Sequence, residues 1–207
     1  MRSLVQLSFY LGFSFLLCAA CSGPSTTSGG GGGGGGAQPV APPDRATGLA
    51  AFEMVRAVFQ HPRCQNCHPA GDVPLQGDEG RPHDMNVRRG PKGEGLAGAE
   101  CTACHVANPP AAYGRAIPPS TSKAWHMPPA DMKMVFVGLS PRALCEQIKD
   151  PARNGGKDMP ALRTHLDDPL VTWAWSPGVG RAPIPTSREG LVAAWETWAA
   201  ADAPCPD

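Results

Sequence analysis

The pattern of apolar and polar positions along the chain marks three helices and little else that is regular. From the capping residue Asp44, Leu49, Phe52, Val55 and Phe59 recur at helical spacing until His61-Pro62 ends the run. Ser140-Pro141 makes a strong helix start, Leu144 and Ile148 share one face beyond it, and Asp150-Pro151 stops it. A third helix opens at Ser187, carries Glu189 in its first turn, and sets Leu191, Trp195 and Trp198 on one stripe. The stretches 69–98 and 106–138 are rich in Pro and Gly without sustained alternation, so no sheet is expected there. Together these elements predict a mostly α, loop-rich single domain over residues 44–207.

The N-terminal 43 residues differ in kind. Arg2 precedes an apolar run from Leu4 to Leu17, broken by Gln6, Ser8, Gly12 and Ser14 and closed by Cys18-Ala19-Ala20-Cys21. The run falls short of the roughly 20 apolar residues of a membrane-spanning helix and predicts a signal peptide over residues 1–20. Small residues just before Cys21 resemble a bacterial lipobox, although Cys18 stands where that box usually has Leu. A lipidated Cys21 would anchor the exported chain to the outer membrane on its periplasmic side, and plain cleavage after Ala20 is the alternative. Residues 21–43 include eight consecutive glycines, Gly29 to Gly36, and close with Pro39, Pro42 and Pro43. Such a segment cannot pack a core, and predicts a disordered tether reaching about 25–30 Å.

Composition narrows the picture. With 18 basic and 18 acidic side chains the chain has no net charge, which removes any generic electrostatic case for nucleic acid. The 25 Gly and 24 Pro argue against a large α/β enzyme fold. Short helices separated by so many breakers also make a thin core, so something besides side chains must fill the interior.

The eight cysteines suggest what that is. Cys64-Gln65-Asn66-Cys67-His68 and Cys101-Thr102-Ala103-Cys104-His105 are two copies of C-x-x-C-H, the attachment signature of c-type haem. Two thiols three positions apart on a helical turn can each form a thioether with one haem vinyl group, and the adjoining histidine reaches the iron from the same side. Cys64, Cys67, Cys101 and Cys104 are therefore the expected attachment points of two haem c groups, with His68 and His105 as proximal ligands. A Cys₄ zinc site is a rival reading of the same thiols, but an exported chain with His after both pairs fits haem better. A thioredoxin-like C-x-x-C would need a βαβ surround that is absent from the pattern. Cys145 and Cys205 are expected either to form a disulfide tying down the C-terminus or to remain as two thiols.

Distal ligands decide between electron carrier and catalyst. His83 lies 15 residues after His68 in a long loop, and His126 lies 21 residues after His105. Both are candidates. Met127 and Met159, each followed by Pro, are alternatives that resemble the distal-ligand loop of small cytochromes c, and either also serves as ordinary core filler. His61, three residues before Cys64, is expected as a helix-end cation or a surface residue. Arg81, Arg88, Arg89 and Lys92 form either a propionate-binding group or a solvated basic loop. Trp125, Trp173 and Trp175 are expected to pack against haem rather than to relay electrons.

The phrases His61 to Pro69, Arg81-Pro82-His83-Asp84-Met85-Asn86-Val87-Arg88-Arg89-Gly90, Cys101 to His105, Trp125-His126, Lys149 to Gly156 and Asp168-Pro169-Leu170-Val171 resemble bacterial isoquinoline 1-oxidoreductase subunits. The likeness spans about residues 50–206. It implies an exported di-haem c-type cytochrome, a cytochrome c-like single domain built around two covalent haems, that accepts electrons from a periplasmic molybdenum hydroxylase. The chain has no molybdenum-cofactor domain and no iron–sulfur cysteine runs, so the resemblance gives it the cytochrome's part alone. A di-haem peroxidase-like enzyme or a haem sensor, either with one open iron site, is the alternative.

Overall fold

Asp44 caps the first helix, accepting the Thr47 N–H on its carboxylate at 2.8 Å, and α1 (Arg45–Phe59) follows. Its buried stripe is Gly48, Ala51, Phe52, Val55 and Val58, with Leu49 and Phe59 half-buried at its margins. Ser140 caps α3 (Pro141–Lys149) through the Ala143 N–H, and Ser187 caps α6 (Arg188–Ala200) through the Gly190 N–H. All three caps are those the sequence predicts, as are the stripes of α3 and α6, whereas the buried face of α1 is turned toward Gly48, Ala51 and Val58 so that Leu49 and Phe59 lie at its edges. The computed structural model describes residues 41–106 and 125–207, which fall within one compact unit. The signal peptide, Cys21 and nearly all of the tether lie outside the described residues.

The described residues are partly helical, with very little strand and long irregular loops between the helices. Helices α1 and α6 pack along each other, and α3 joins them. Phe52 meets Trp198 with ring centroids 5.1 Å apart, Trp195 stands edge-on to Trp198 at 5.3 Å, and Leu144, Ile148 and Leu191 close the core around them. The C-terminal tail folds back onto this bundle. Cys145 and Cys205 form a disulfide, Trp198 donates its indole N–H to the Pro204 carbonyl at 2.9 Å, and Lys149 donates to that of Ala203 at 2.6 Å.

Gly48 sits where α1 and this tail come nearest. A Cβ there would lie 2.6 Å from Ala201 Cβ and 2.8 Å from Pro204 Cγ, neither of which is the end of a flexible chain. Gly48→Ala is therefore expected to destabilise by about 1–3 kcal/mol through overpacking, against the usual gain of alanine in a helix. Denaturant unfolding measures this, and a variant as stable as the parent would refute it.

Three features depart from the expected pattern. A four-residue helix, α2 (Pro62–Gln65), begins two residues before Cys64 and ends inside the first cysteine motif, and α4 (Met159–His165) and α5 (Pro169–Thr172) fill the segment between α3 and α6. Each of these two has an aspartate cap, Asp158 or Asp168, with Pro in the first turn. Where no sheet was expected, two antiparallel hairpins occur: β1 (Leu75–Gln76) with β2 (Arg81–Pro82), and β3 (Gly95–Leu96) with β4 (Ala99–Glu100). Two-residue strands are too short to leave an alternating signature. Their ends matter, because the first hairpin runs directly into His83 and the second into Cys101.

Candidate functional site

The first cysteine motif is wound as a helical turn. His61 caps it by accepting the Arg63 N–H on Nδ1 at 3.2 Å, so this residue is an N-cap acceptor rather than a helix-end cation. The Cys67 N–H then donates to the Cys64 carbonyl at 3.2 Å, and the His68 N–H to the Gln65 carbonyl at 3.0 Å. This brings both thiols and the imidazole onto one short turn.

The His68 ring is held on two sides by the segment Met134–Phe136. Its face stacks on Phe136, with centroids 4.0 Å apart and planes 11° off parallel, and its Nδ1 lies 2.7 Å from the Met134 carbonyl oxygen. A carbonyl only accepts, so Nδ1 carries the proton and Nε2 keeps its lone pair. The Phe136 N–H closes the clamp by donating to the His68 carbonyl at 2.9 Å. Met134 has φ 46°, a left-handed conformation costly for a non-glycine residue, in the turn that presents its carbonyl. Burial holds the His68 pKa down at about 4, so the imidazole is neutral at ordinary pH. Burial also pushes the Cys64 thiol up to about 12 and Cys67 to about 11, and the nearness of Cys101 contributes to the latter.

The second motif hangs from the β3–β4 hairpin. Cys101 N–H donates to the Glu94 carbonyl at 2.9 Å, residues Cys101–Ala103 form a 3-10 turn, and the His105 N–H donates to the Cys101 carbonyl at 2.9 Å. His105 stacks on Trp125 at 4.4 Å with planes 6° apart, and Trp125 meets Trp173 edge-on at 5.0 Å. His83, on the loop after the first motif, faces His105 with centroids 6.3 Å apart and planes at 68°. Burial, followed by the proximity of His83 and Arg181, holds the His105 pKa down at about 4.

Two arginines lie buried between these parts. Arg63 donates through Nη2 to the Gly77 carbonyl and to the Asp78 carboxylate, both at 2.6 Å. Arg89 donates to the carbonyls of Pro128 at 2.6 Å, Gly71 at 3.0 Å and Pro69 at 3.3 Å. In each, Nε is buried without a hydrogen bond, although that of Arg89 lies 3.6 Å from the Asp72 carboxylate, beyond hydrogen-bond reach. A buried guanidinium nitrogen lacking an acceptor is costly, and a carboxylate-bearing group between the motifs would satisfy it. The basic residues after the first motif thus separate: Arg89 points inward, whereas Arg81 is exposed and pairs with Glu79 and Asp84, and Arg88 donates to Asn86. The donor set, two thiols and an imidazole on each of two turns with orphaned guanidinium nitrogens beside them, fits haem c and its propionates.

The remaining candidates are dispersed. Met127 is buried outside the main core, its N–H donating to the Gly93 carbonyl at 2.8 Å, and Gly93 has φ 84° with the Met127 carbonyl where a Cβ would stand. His126 is half-buried beside it. Met159 opens α4 and packs partly buried against the core, as a filler would. Trp175 packs there as well and donates to the Thr186 carbonyl. His165, at the end of α4, was not among the sequence candidates. It lies close enough to His68 to disfavour a second positive charge there, with its Nδ1 3.9 Å from the Asp168 carboxylate. The Asp158 cap and Pro160 were the signals for the helix that carries it.

Among the described residues no three His, Cys, Asp or Glu side chains gather as a cage for a bare metal ion. Comparison with protein-family models, curated proteins and solved structures finds no match to this chain.

Proposed function

We propose that this chain is an exported di-haem c-type cytochrome that carries single electrons. The observation that carries the reading is the pair of C-x-x-C-H motifs, each wound on a tight turn, with His68 Nδ1 committed to the Met134 carbonyl and its Nε2 left for iron. When bound, haem supplies reversible one-electron exchange at iron, with a potential set by axial ligands and burial.

The chain's own residues do the holding. Cys64 and Cys67 anchor one haem and Cys101 and Cys104 the other. His68 and His105 ligate, and Phe136 and Trp125 fix the orientation of the two imidazoles through ring stacking. Arg63 and Arg89 offer Nε–H donors to propionates. Neutral imidazoles at ordinary pH bind iron without first losing a proton. The resemblance adds a periplasmic molybdenum hydroxylase-type dehydrogenase as electron donor, and the lipobox adds a membrane anchor at Cys21.

The test is purification of the full chain from a host competent for cytochrome c assembly. The expected protein carries two covalent haems by mass and by pyridine haemochrome, shows a Soret band, is low-spin at both irons, and does not bind carbon monoxide when reduced. A bare-chain mass without a Soret band overturns the haem reading. Stoichiometric carbon monoxide binding by the unmodified protein overturns the carrier role in favour of a catalyst or sensor.

A further inference from the structure

The loop between the two motifs presents a histidine to the wrong motif. By position His83 follows His68, and the nearest haem along the chain is the first. In space its ring faces His105, the histidine of the second motif, at 6.3 Å. We propose that His83 and His105 are the two axial ligands of a single iron, so that the loop following the first attachment motif completes the coordination of the haem carried by the second. The proposal rests on the haem reading above.

Three observations point the same way. First, metal–imidazole bonds of about 2 Å on opposite sides of one metal put the two ring centroids roughly 6 Å apart, the separation found here. An ordinary edge-on ring contact also occurs at such distances, so the separation is necessary rather than sufficient. Second, His83 Nδ1 lies 2.9 Å from the Asp84 carbonyl oxygen. That carbonyl can only accept, so Nδ1 carries the proton and Nε2 keeps the lone pair that a metal needs. His68 uses its Nδ1 in the same way. Third, the backbone holding His83 is constrained on both sides. Its N–H donates to the Pro74 carbonyl at 2.9 Å, Arg81 bridges to Asp84 at 2.7 Å, and the next residues but one, Met85 and Asn86, have φ of 62° and 52°. Two successive left-handed non-glycine residues are a strain that an exposed, idle loop would shed.

The pairing makes the two haem sites interdependent. Loss of the His83 loop should open the second iron and spare the first.

The experiment uses the full-length haem-loaded protein and its His83→Ala variant, with His126→Ala as the comparison. His83→Ala is expected to retain two covalent haems, to convert one of the two irons to high spin, and to bind one carbon monoxide per protein where the parent binds none. Added imidazole should return that iron to low spin. His126→Ala should leave the iron bound at Cys101 and Cys104 low-spin. Assignment to a motif comes from single-haem backgrounds: His83→Ala should alter the remaining haem of Cys64→Ala/Cys67→Ala and leave unchanged that of Cys101→Ala/Cys104→Ala. Should His83→Ala fold poorly, His83→Met keeps a ligand in place and should give one His/Met iron by magnetic circular dichroism.

If the parent carries two haems but His83 variants leave both irons as in the parent, or alter the haem bound at Cys64 and Cys67, the pairing is wrong and the haem reading stands. If His126→Ala rather than His83→Ala opens the iron bound at Cys101 and Cys104, the pairing is likewise wrong. A parent without haem sinks the haem reading itself.

Discussion

On the proposed di-haem reading, replacing Cys64 and Cys67 together by alanine is expected to halve the covalent haem content, from two per chain to one, and to lower the melting temperature clearly more than the same change at Cys101 and Cys104. The asymmetry follows from where the two turns sit. Cys64 packs against the main core, and His68 stacks on Phe136, itself a core residue beside Phe59. A haem lost there would leave apolar surface of α1 and the 134–136 segment without its partner, an expensive kind of cavity. The second turn, Cys101–Ala103, contains no buried residue, and Thr102 and Ala103 are exposed. Removing its thiols should cost the haem and leave the α1–α3–α6 bundle nearly as stable as before. Pyridine haemochrome gives the stoichiometry and calorimetry the stability. Equal losses of stability at the two motifs would show that the first haem is not part of the core.

Arg89→Leu is expected to destabilise the protein by about 1–3 kcal/mol, the cost of leaving buried acceptors without their donor. The Arg89 side chain is completely buried, and its guanidinium ties the Pro69 and Gly71 carbonyls, just past the first motif, to the Pro128 carbonyl next to Met127. Its main chain adds to the knot: the N–H donates to the Asp72 carbonyl at 2.7 Å, and the carbonyl accepts the Gly95 N–H at 2.9 Å. Leucine fills much of the space but leaves three carbonyls without a donor. Arg89→Lys should recover little, because an ammonium is a single donor centre on a flexible stem and cannot span three carbonyls in a plane. Urea unfolding of the two variants measures both effects. A cost below about 1 kcal/mol for Arg89→Leu would mean that these segments are held together by something other than the guanidinium.

How far the sequence could be followed depended on the range of each interaction. Asp44, Ser140 and Ser187 are helix caps whose partners lie three residues away, so their roles are local and legible. The stripes of α1, α3 and α6 repeat for two turns or more and could be recognised. Helices α4 and α5 run only seven and four residues, too short for a periodic stripe, although Asp158 and Asp168 carried the same cap signal as Ser140. The two hairpins left no alternation in the sequence at all.

The site divides along the same line. Each attachment turn is a five-residue affair, because two thiols and an imidazole act together only when one turn of backbone carries them. Its positions could therefore be named from spacing alone. The environment of each imidazole is built from elsewhere: the Met134 carbonyl and Phe136 ring on His68 come from a segment 66 and 68 residues further on, and Trp125 reaches His105 from beyond residues 107–124. His83 belongs to the first motif by chain position and to the second by contact. Sequence by itself determined what short covalent reach imposes, namely which thiols and imidazoles share one turn and are the ones proposed to hold a haem. Only the tertiary structure decided which histidine faces which, because that choice depends on how long Pro- and Gly-rich loops close, and a buried arginine such as Arg89 closes them through carbonyls that carry no mark of it in the sequence.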